Sequence, residues 1–227
     1  MKRECLTVYI DYKSPYAYLA IHPTYQLQLD FELDIDWLPY TLNIPDFLGS
    51  ATVNSRGEVL EEERSAHQWR RVRYSYMDAR RYATIRGLTI RGPQKIWDST
   101  IVSVGLLYAK SQDKFEPYND LVYEKFWKRE LDIEDERVVT SILQQAGIDI
   151  TTFGDFLSNT GRILHDKVRA EAEGKGVFGV PTYILDGQLY WGREHLPLIR
   201  ELLTQKGLLR ANASASNGIV TAGTQAM

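Results

Sequence analysis

The two ends of this chain are strand-bearing and its long middle is helical, and that division restricts the fold more than any other property of the sequence. Near the start, "LTVYI" (6–10) and "LDIDWLPY" (33–40) are β-rich runs on either side of a helix that opens near Pro15, which makes a βαβ unit. Near the end, "VPTYIL" (180–185), the turn "DG" and "QLYW" (188–191) read as a hairpin. "EHLPLIRELLTQKG" then reads as a closing helix that stops at Gly207. From about 61 to 173, apolar and charged residues recur mostly at helical spacing, as in "IVSVGLLYAK", "YNDLVYEKFWKREL" and "DERVVTSILQQAG", so this stretch is predicted to be helices. With 227 residues and 44% hydrophobic content, one domain over 1–210 with a helical insertion at about 61–173 is expected. The remainder, 211–227, is small and polar and is expected to be disordered.

In "DYKSPYAYLA" (Asp11–Ala20) a Ser-Pro pair stands where the first strand gives way to the helix. A proline suits the first helical turn, where its missing N–H costs nothing. A serine just before it can cap the helix, which is one reading of Ser14. The same hydroxyl lies beside unpaired N–H groups at the positive end of the helix dipole, where an anion or a thiolate is held favourably, which is the other. The local stretch is compatible with both. "GVP" (Gly179–Pro181) also has two readings: a tight turn with a cis X-Pro bond, or an ordinary proline-started edge strand.

Charge and cysteine content exclude several functions. The 27 Lys and Arg against 30 Asp and Glu give a net charge of −3, which argues against a dedicated nucleic-acid binder. The start, "MKRECLTVYIDYKSPY", has only a short apolar run broken by Asp11 and Lys13, so it fails as a secretory signal and as a membrane span. A soluble, cytoplasmic protein with no membrane partner is expected. Cys5 is the one cysteine, which leaves no internal disulfide, no CxxC redox pair and no thiolate metal site. At the start of its strand it is expected to be buried and inert. His22, His67, His165 and His195 show no paired spacing for a metal, and none is expected to hold one.

"GVFGVPTYILDGQLYWGREHL" (Gly176–Leu196) closely resembles the C-terminal signature of 2-hydroxychromene-2-carboxylate isomerases and kappa-class glutathione transferases, within the wider DsbA-like family. "DYKSPYAYLA" resembles that family's "DFxSPYSYLA", and "WLPYTLN" (Trp37–Asn43) sits where the family has its second strand and following turn. The resemblance covers both ends of the chain well and the helical middle by pattern alone. It implies an α/β, thioredoxin-like fold with an all-α helical insertion between the βαβ and ββα halves. Disulfide-handling relatives open the helix with CxxC; here the same place holds "SPYA" (Ser14–Ala17), so the cysteine chemistry is gone.

The resemblance also implies roles. Ser14 would hydrogen-bond the sulfur of bound glutathione and favour its thiolate, in line with the lowered pKa of thiols at helix N-termini. Val180, before a cis Pro181, would offer its backbone to the cysteinyl part of glutathione like a short added strand. In "WGREHL", Arg193 and Glu194 stand where the family commonly has a small polar residue and Asp holding the γ-glutamyl end. Both depart from that pattern, although an arginine can grip a carboxylate bidentately and an acid at a helix start is favoured by the dipole in any case. Family members use an asparagine after the second strand to contact glutathione, for which Asn43 and Asn54 are both candidates. The middle stretch "QWRRVRYSYMDARRYATIRG" sets Arg70, Arg71, Arg73, Arg80, Arg81 and Arg86 among aromatics. It admits RNA binding, a solvated helix face balanced by "EEER" (Glu61–Arg64), or attraction of acidic substrates and glutathione.

These readings converge on a glutathione-dependent isomerase whose bound thiolate adds reversibly to a conjugated aromatic keto acid. The partners expected are glutathione and a small aromatic or electrophilic substrate, with no nucleic acid, and a homodimer fits the resemblance. The alternatives are a kappa-like glutathione transferase and a non-catalytic thioredoxin-like binding module without CxxC.

Overall fold

A computed structural model describes residues 3–54, 56, 58–211 and 213. The expected disordered tail, 211–227, lies outside the described residues except at Ala211 and Ala213. The first half comprises β1 (Glu4–Ile10), α1 (Pro15–Asp30), β2 (Leu33–Pro39), α2 (Ile44–Leu48) and a small hairpin of β3 (Ala51–Val53) and β4 (Val59–Glu62). Helices α3 (Ala66–Ile85), α4 (Thr100–Lys110), α5 (Phe115–Trp127), α6 (Glu136–Gln145), α7 (Phe153–Ser158) and α8 (Thr160–Gly174) follow. Strands β5 (Thr182–Leu185) and β6 (Gln188–Trp191), a 3₁₀ turn at Arg193–His195 and α9 (Leu196–Gln205) complete the chain. The helical excursion therefore starts at 66, since residues 59–62 are strand.

A pair of strands from one end of the chain is too small to be stable alone, and the two ends solve this jointly. The sheet order is β2-β1-β5-β6. β1 runs parallel to β2, from Glu4 opposite Leu33 to Ile10 opposite Pro39, and antiparallel to β5, with Val8 opposite Tyr183. β5 and β6 meet at Asp186 and Gly187, both with positive φ (52° and 74°), the conformation a two-residue hairpin turn requires. As an inner strand, β1 buries Val8, Tyr9 and Ile10 in succession, while its first half alternates and leaves Cys5 exposed. The expectation of a buried Cys5 is thus corrected: Leu6 and Val8 take the inward positions at that end of the strand.

Helix α1 contains Pro23, which has no N–H to give the carbonyl of Leu19, four residues back. Arg86, at the end of α3, supplies the missing donor to Leu19 O. The other end of α1 is tied to α9 by an Asp30–Arg200 ion pair at 2.5 Å. The helical excursion docks through tyrosines: Tyr123 of α5 stacks on Tyr18 (ring centroids 5.1 Å apart, 4° between planes), lies 4.8 Å from Tyr12, and donates to Asp11 O at 3.2 Å. Within the excursion, α4 and α5 meet at Gly105, where a Cβ would lie 2.9 Å from Cζ of Tyr118 and closer still to its hydroxyl. That hydroxyl donates to Val102 O at 2.8 Å.

His165 on α8 is 3% exposed and bonds Thr41 Oγ1 at 2.9 Å, with Asp166, Arg169 and Asp11 the charged groups that act on it. Burial, outweighing Asp166, lowers its pKa from 6.5. The unfolded chain therefore binds the proton more readily, and the fold loses stability as pH falls below about 6.5. Urea midpoints between pH 7.5 and 5 are expected to show this decline, and His165→Gln to flatten it; an unchanged slope in the variant would assign the decline to other groups.

Candidate active site

The turn after β1 is built on a buried charge. The Asp11 carboxylate, 1% exposed, accepts from Lys13 N (3.1 Å) and Leu42 N (2.8 Å) and lies 3.5 Å from Lys13 Nζ, which donates to Leu42 O at 2.8 Å. Ser14 N donates to Asp11 O at 2.9 Å. Ser14 is thereby fixed as the N-cap of α1, its Oγ accepting from Ala17 N at 3.2 Å. Its hydroxyl proton points the other way, to Val180 O at 3.4 Å. A hydroxyl has one proton and two lone pairs, and 3.4 Å is a long bond. Ser14 can keep its cap through a lone pair and turn its proton to an incoming anion.

Val180 and Pro181 are joined by a cis peptide bond. Pro181 O accepts from Gly192 N at 2.8 Å, and Thr182 Oγ1 donates to Gly179 O at 2.6 Å, which fixes the segment against β6. Val180 N makes no hydrogen bond among the described residues. The glycines of the motif have steric causes. A Cβ on Gly179 would meet Trp191 Nε1 at 2.6 Å, so only glycine lets that indole lie over the segment, with Phe178 5.0 Å from it. Gly192 has φ 103°, a conformation that favours glycine.

Ser14 and Val180 face a cavity of about 860 Å³ between the start of α1 and the segment before β5 on one side, and α3, the β3–β4 hairpin and residues 92–97 on the other. Its body is apolar and aromatic, with Trp69, Tyr76, Trp97, Phe126 and Trp191 among the walls. Seven cationic side chains line it and, among the described residues, no Asp or Glu. The arrangement suits an anion with an aromatic body. Tyr16, also lining, has its hydroxyl held by Asp78 (3.3 Å) and Ser75 O (3.5 Å), and burial pushes its pKa up to about 12, so it stays protonated.

The structure brings Ser14 and Val180 together, with Pro181 directly behind. The four other residues that the sequence assigned to glutathione lie elsewhere. Arg193 stacks over Tyr82 at 3.7 Å and pairs with Asp78 at 3.9 Å, joining the start of α9 to α3. Glu194 folds back over Gly192. Asn43 donates to Asp46 at 2.6 Å and Asn54 to Glu58 at 2.6 Å. None of these four lines the cavity. Of the α3 arginines, Arg71, Arg73 and Arg80 line it, Arg81 lies 4.0 Å from Asp78, and Arg86 serves Leu19. Sequence reasoning missed Asp11 and Lys13, whose i, i+2 spacing across the turn was the available signal, and Arg64 and Arg129, for which the sequence carries none. Among the described residues no cluster of three or more His, Cys, Asp or Glu suits a metal, and no helix is long and apolar enough to cross a membrane.

Comparison with known proteins agrees with this fold. Residues 5–204 match the model of the DSBA-like thioredoxin domain. A 2-hydroxychromene-2-carboxylate isomerase of Pseudomonas putida is 24% identical over 211 residues, 92% of this chain and 98% of that protein. The solved structure of a 2-hydroxychromene-2-carboxylate isomerase superposes with TM-score 0.69 at 22% identity, over 89% of this chain and 96% of the other. That of a probable DsbA oxidoreductase from Streptomyces coelicolor gives TM-score 0.68 at 18% identity, over 89% of each.

Proposed function

The chain belongs to the family of DSBA-like thioredoxin domains, and we propose that it is a glutathione-dependent isomerase of the 2-hydroxychromene-2-carboxylate type. The observation that carries the reading is the Ser14–Val180 contact at the head of an aromatic, cation-lined cavity. The residues fit glutathione in three respects. Ser14 has a proton that can be redirected to a sulfur. Val180 has an uncommitted N–H, and Arg71 and Arg73, which line the same cavity, match the tripeptide's carboxylates. The isomerases named among the relatives and the "SPYA" start of α1 point the same way.

Bound glutathione supplies a thiolate that can add to a conjugated double bond and leave again, so that the bond rotates while it is single. The chain's own groups do the rest. Ser14 and the first amides of α1 favour the charged sulfur. Val180 aligns the peptide as an added strand does. The aromatic walls receive the substrate ring and exclude water, and the cations hold its carboxylate. An acid-matched cavity favours this reading over a transferase acting on neutral electrophiles.

Calorimetry with glutathione, followed by absorbance assay of 2-hydroxychromene-2-carboxylate with and without it, tests the proposal. Binding and strictly glutathione-dependent interconversion are expected. Binding without turnover of any electrophile would leave a binding module instead. The protein is also expected not to catalyse insulin disulfide reduction, because Cys5 stands at the opposite end of β1 from Ser14 and no second cysteine can resolve a mixed disulfide. Efficient reduction that survives Cys5→Ser would contradict this.

A further inference from the structure

Three of the cavity's arginines are held in the same way. Arg64 Nε donates to Gly49 O at 3.3 Å, Arg80 Nε to Ile90 O at 3.1 Å and Arg129 Nε to Gly92 O at 2.7 Å. Each guanidinium is thus tethered to main chain at its inner nitrogen, and none of the three is ion-paired among the described residues. Lys13 and Lys95, by contrast, are matched by Asp11 and Glu134. Arg80 and Arg129 converge on the segment 90–92, with Arg80 Nη2 3.4 Å from the Cβ position of Gly92. Tyr76 links Arg80 to Arg64: its ring lies 5.9 Å from Arg80, and its hydroxyl is acted on by both. Burial pushes that hydroxyl up to about 12, so it remains a donor, and burial also lowers Arg64, whose charge is less hydrated than that of a surface arginine.

A tethered guanidinium loses little freedom when its outer nitrogens close on a carboxylate, and its planar fork matches that group bidentately. Arg80 belongs to α3, Arg64 to the segment that leads into it and Arg129 to the turn after α5, whereas Ser14 and Val180 belong to the sheet half. One monoanionic substrate does not use such a set. We infer that Arg64, Arg80 and Arg129, with the Tyr76 hydroxyl, form a second anion station, and that the preferred substrate is an aromatic acid bearing a second carboxylate, which binds there. The inference rests on the isomerase reading for the aromatic acid itself and extends it to a substrate charged at two ends.

Isothermal titration with 2-naphthoate and naphthalene-2,6-dicarboxylate, in free protein and in protein saturated with glutathione, tests it. The dicarboxylate is expected to bind about tenfold more tightly in both states, as one additional charge-assisted fork allows. Arg80→Gln is expected to abolish that preference while leaving affinity for glutathione within about twofold. Where Arg80→Gln lowers the melting temperature severely, Arg129→Gln, at the exposed rim, reads the same station. Equal affinity for the two acids would overturn the inference. So would a preference that disappears once glutathione is bound, since the arginines would then serve the tripeptide's own carboxylates. Failure of glutathione to bind, with the preference intact in free protein, would remove the cofactor reading and leave the station standing.

Discussion

Ser14→Ala is expected to lower glutathione-dependent turnover by about 100-fold, the usual loss when a hydrogen-bond donor to a developing anion is removed. The same change should cost only about 1 kcal/mol of stability through the lost cap. The two roles of Ser14 separate because they use different parts of one hydroxyl. The cap is a lone pair accepting from Ala17 N, and the proposed work on sulfur is done by the proton that now rests on Val180 O. If the proton matters, the pKa of bound glutathione must rise in the variant, because a hydrogen bond to the charged form is gone. Each unit of rise is about 1.4 kcal/mol of lost thiolate stabilisation. The thiolate absorbance of bound glutathione, titrated in both proteins, reads this without reference to turnover. Ser14→Asp is the complementary control: aspartate caps a helix at least as well as serine, so stability should hold while a like charge repels the thiolate. Should Ser14→Asp retain both stability and activity, Ser14 is a cap and the proposed mechanism must move to another group.

What could be read from the sequence was short in range. The Ser14-Pro15 opening of α1, the Asp186-Gly187 turn and the stop at Gly207 are each decided by a few neighbouring residues, and each stands where it was expected. Elements without a local signature were not seen. β4 is "VLEE", exposed along its whole length, with no alternation to mark it. Cys5 was misread because a strand's start was treated like its centre, whereas β1 becomes buried on both faces only from Val8 onward. The cavity was legible in part for the same reason. Ser14 and Val180 sit inside quotable motifs, but they are 166 residues apart and only the sheet makes them neighbours. Arg193 was placed with the ligand on its motif, while in the fold it stacks on Tyr82, a residue whose approach depends on how α3 lies over α1. Arg129 reaches the cavity because its Nε finds Gly92, 37 residues earlier, and no periodicity records that meeting.

The largest stability effect should come from Asp11, which the cavity does not display at all. Its carboxylate is fully buried and carries three partners: the amides of Lys13 and Leu42 and the ammonium of Lys13. Asp11→Ala strands two backbone donors and a lysine that is itself 7% exposed. Breaking a buried pair from one side typically costs about 3–5 kcal/mol, against a total stability of about 5–15 kcal/mol for a domain. Lys13→Met should cost less, because the carboxylate it leaves keeps both amides, and the methionine fills the same channel. The double variant Asp11→Asn, Lys13→Met removes both charges and leaves an oxygen for one amide, so it should be more stable than Asp11→Ala, by non-additivity expected of groups in contact. Urea midpoints of the three variants give the order directly. The order carries a functional consequence, since the Asp11 turn places both Ser14 N and, through Leu42, the chain leaving β2. Were Asp11→Ala to unfold at the wild-type midpoint, the pair would be solvated and the turn would hold Ser14 by the cap of α1 alone.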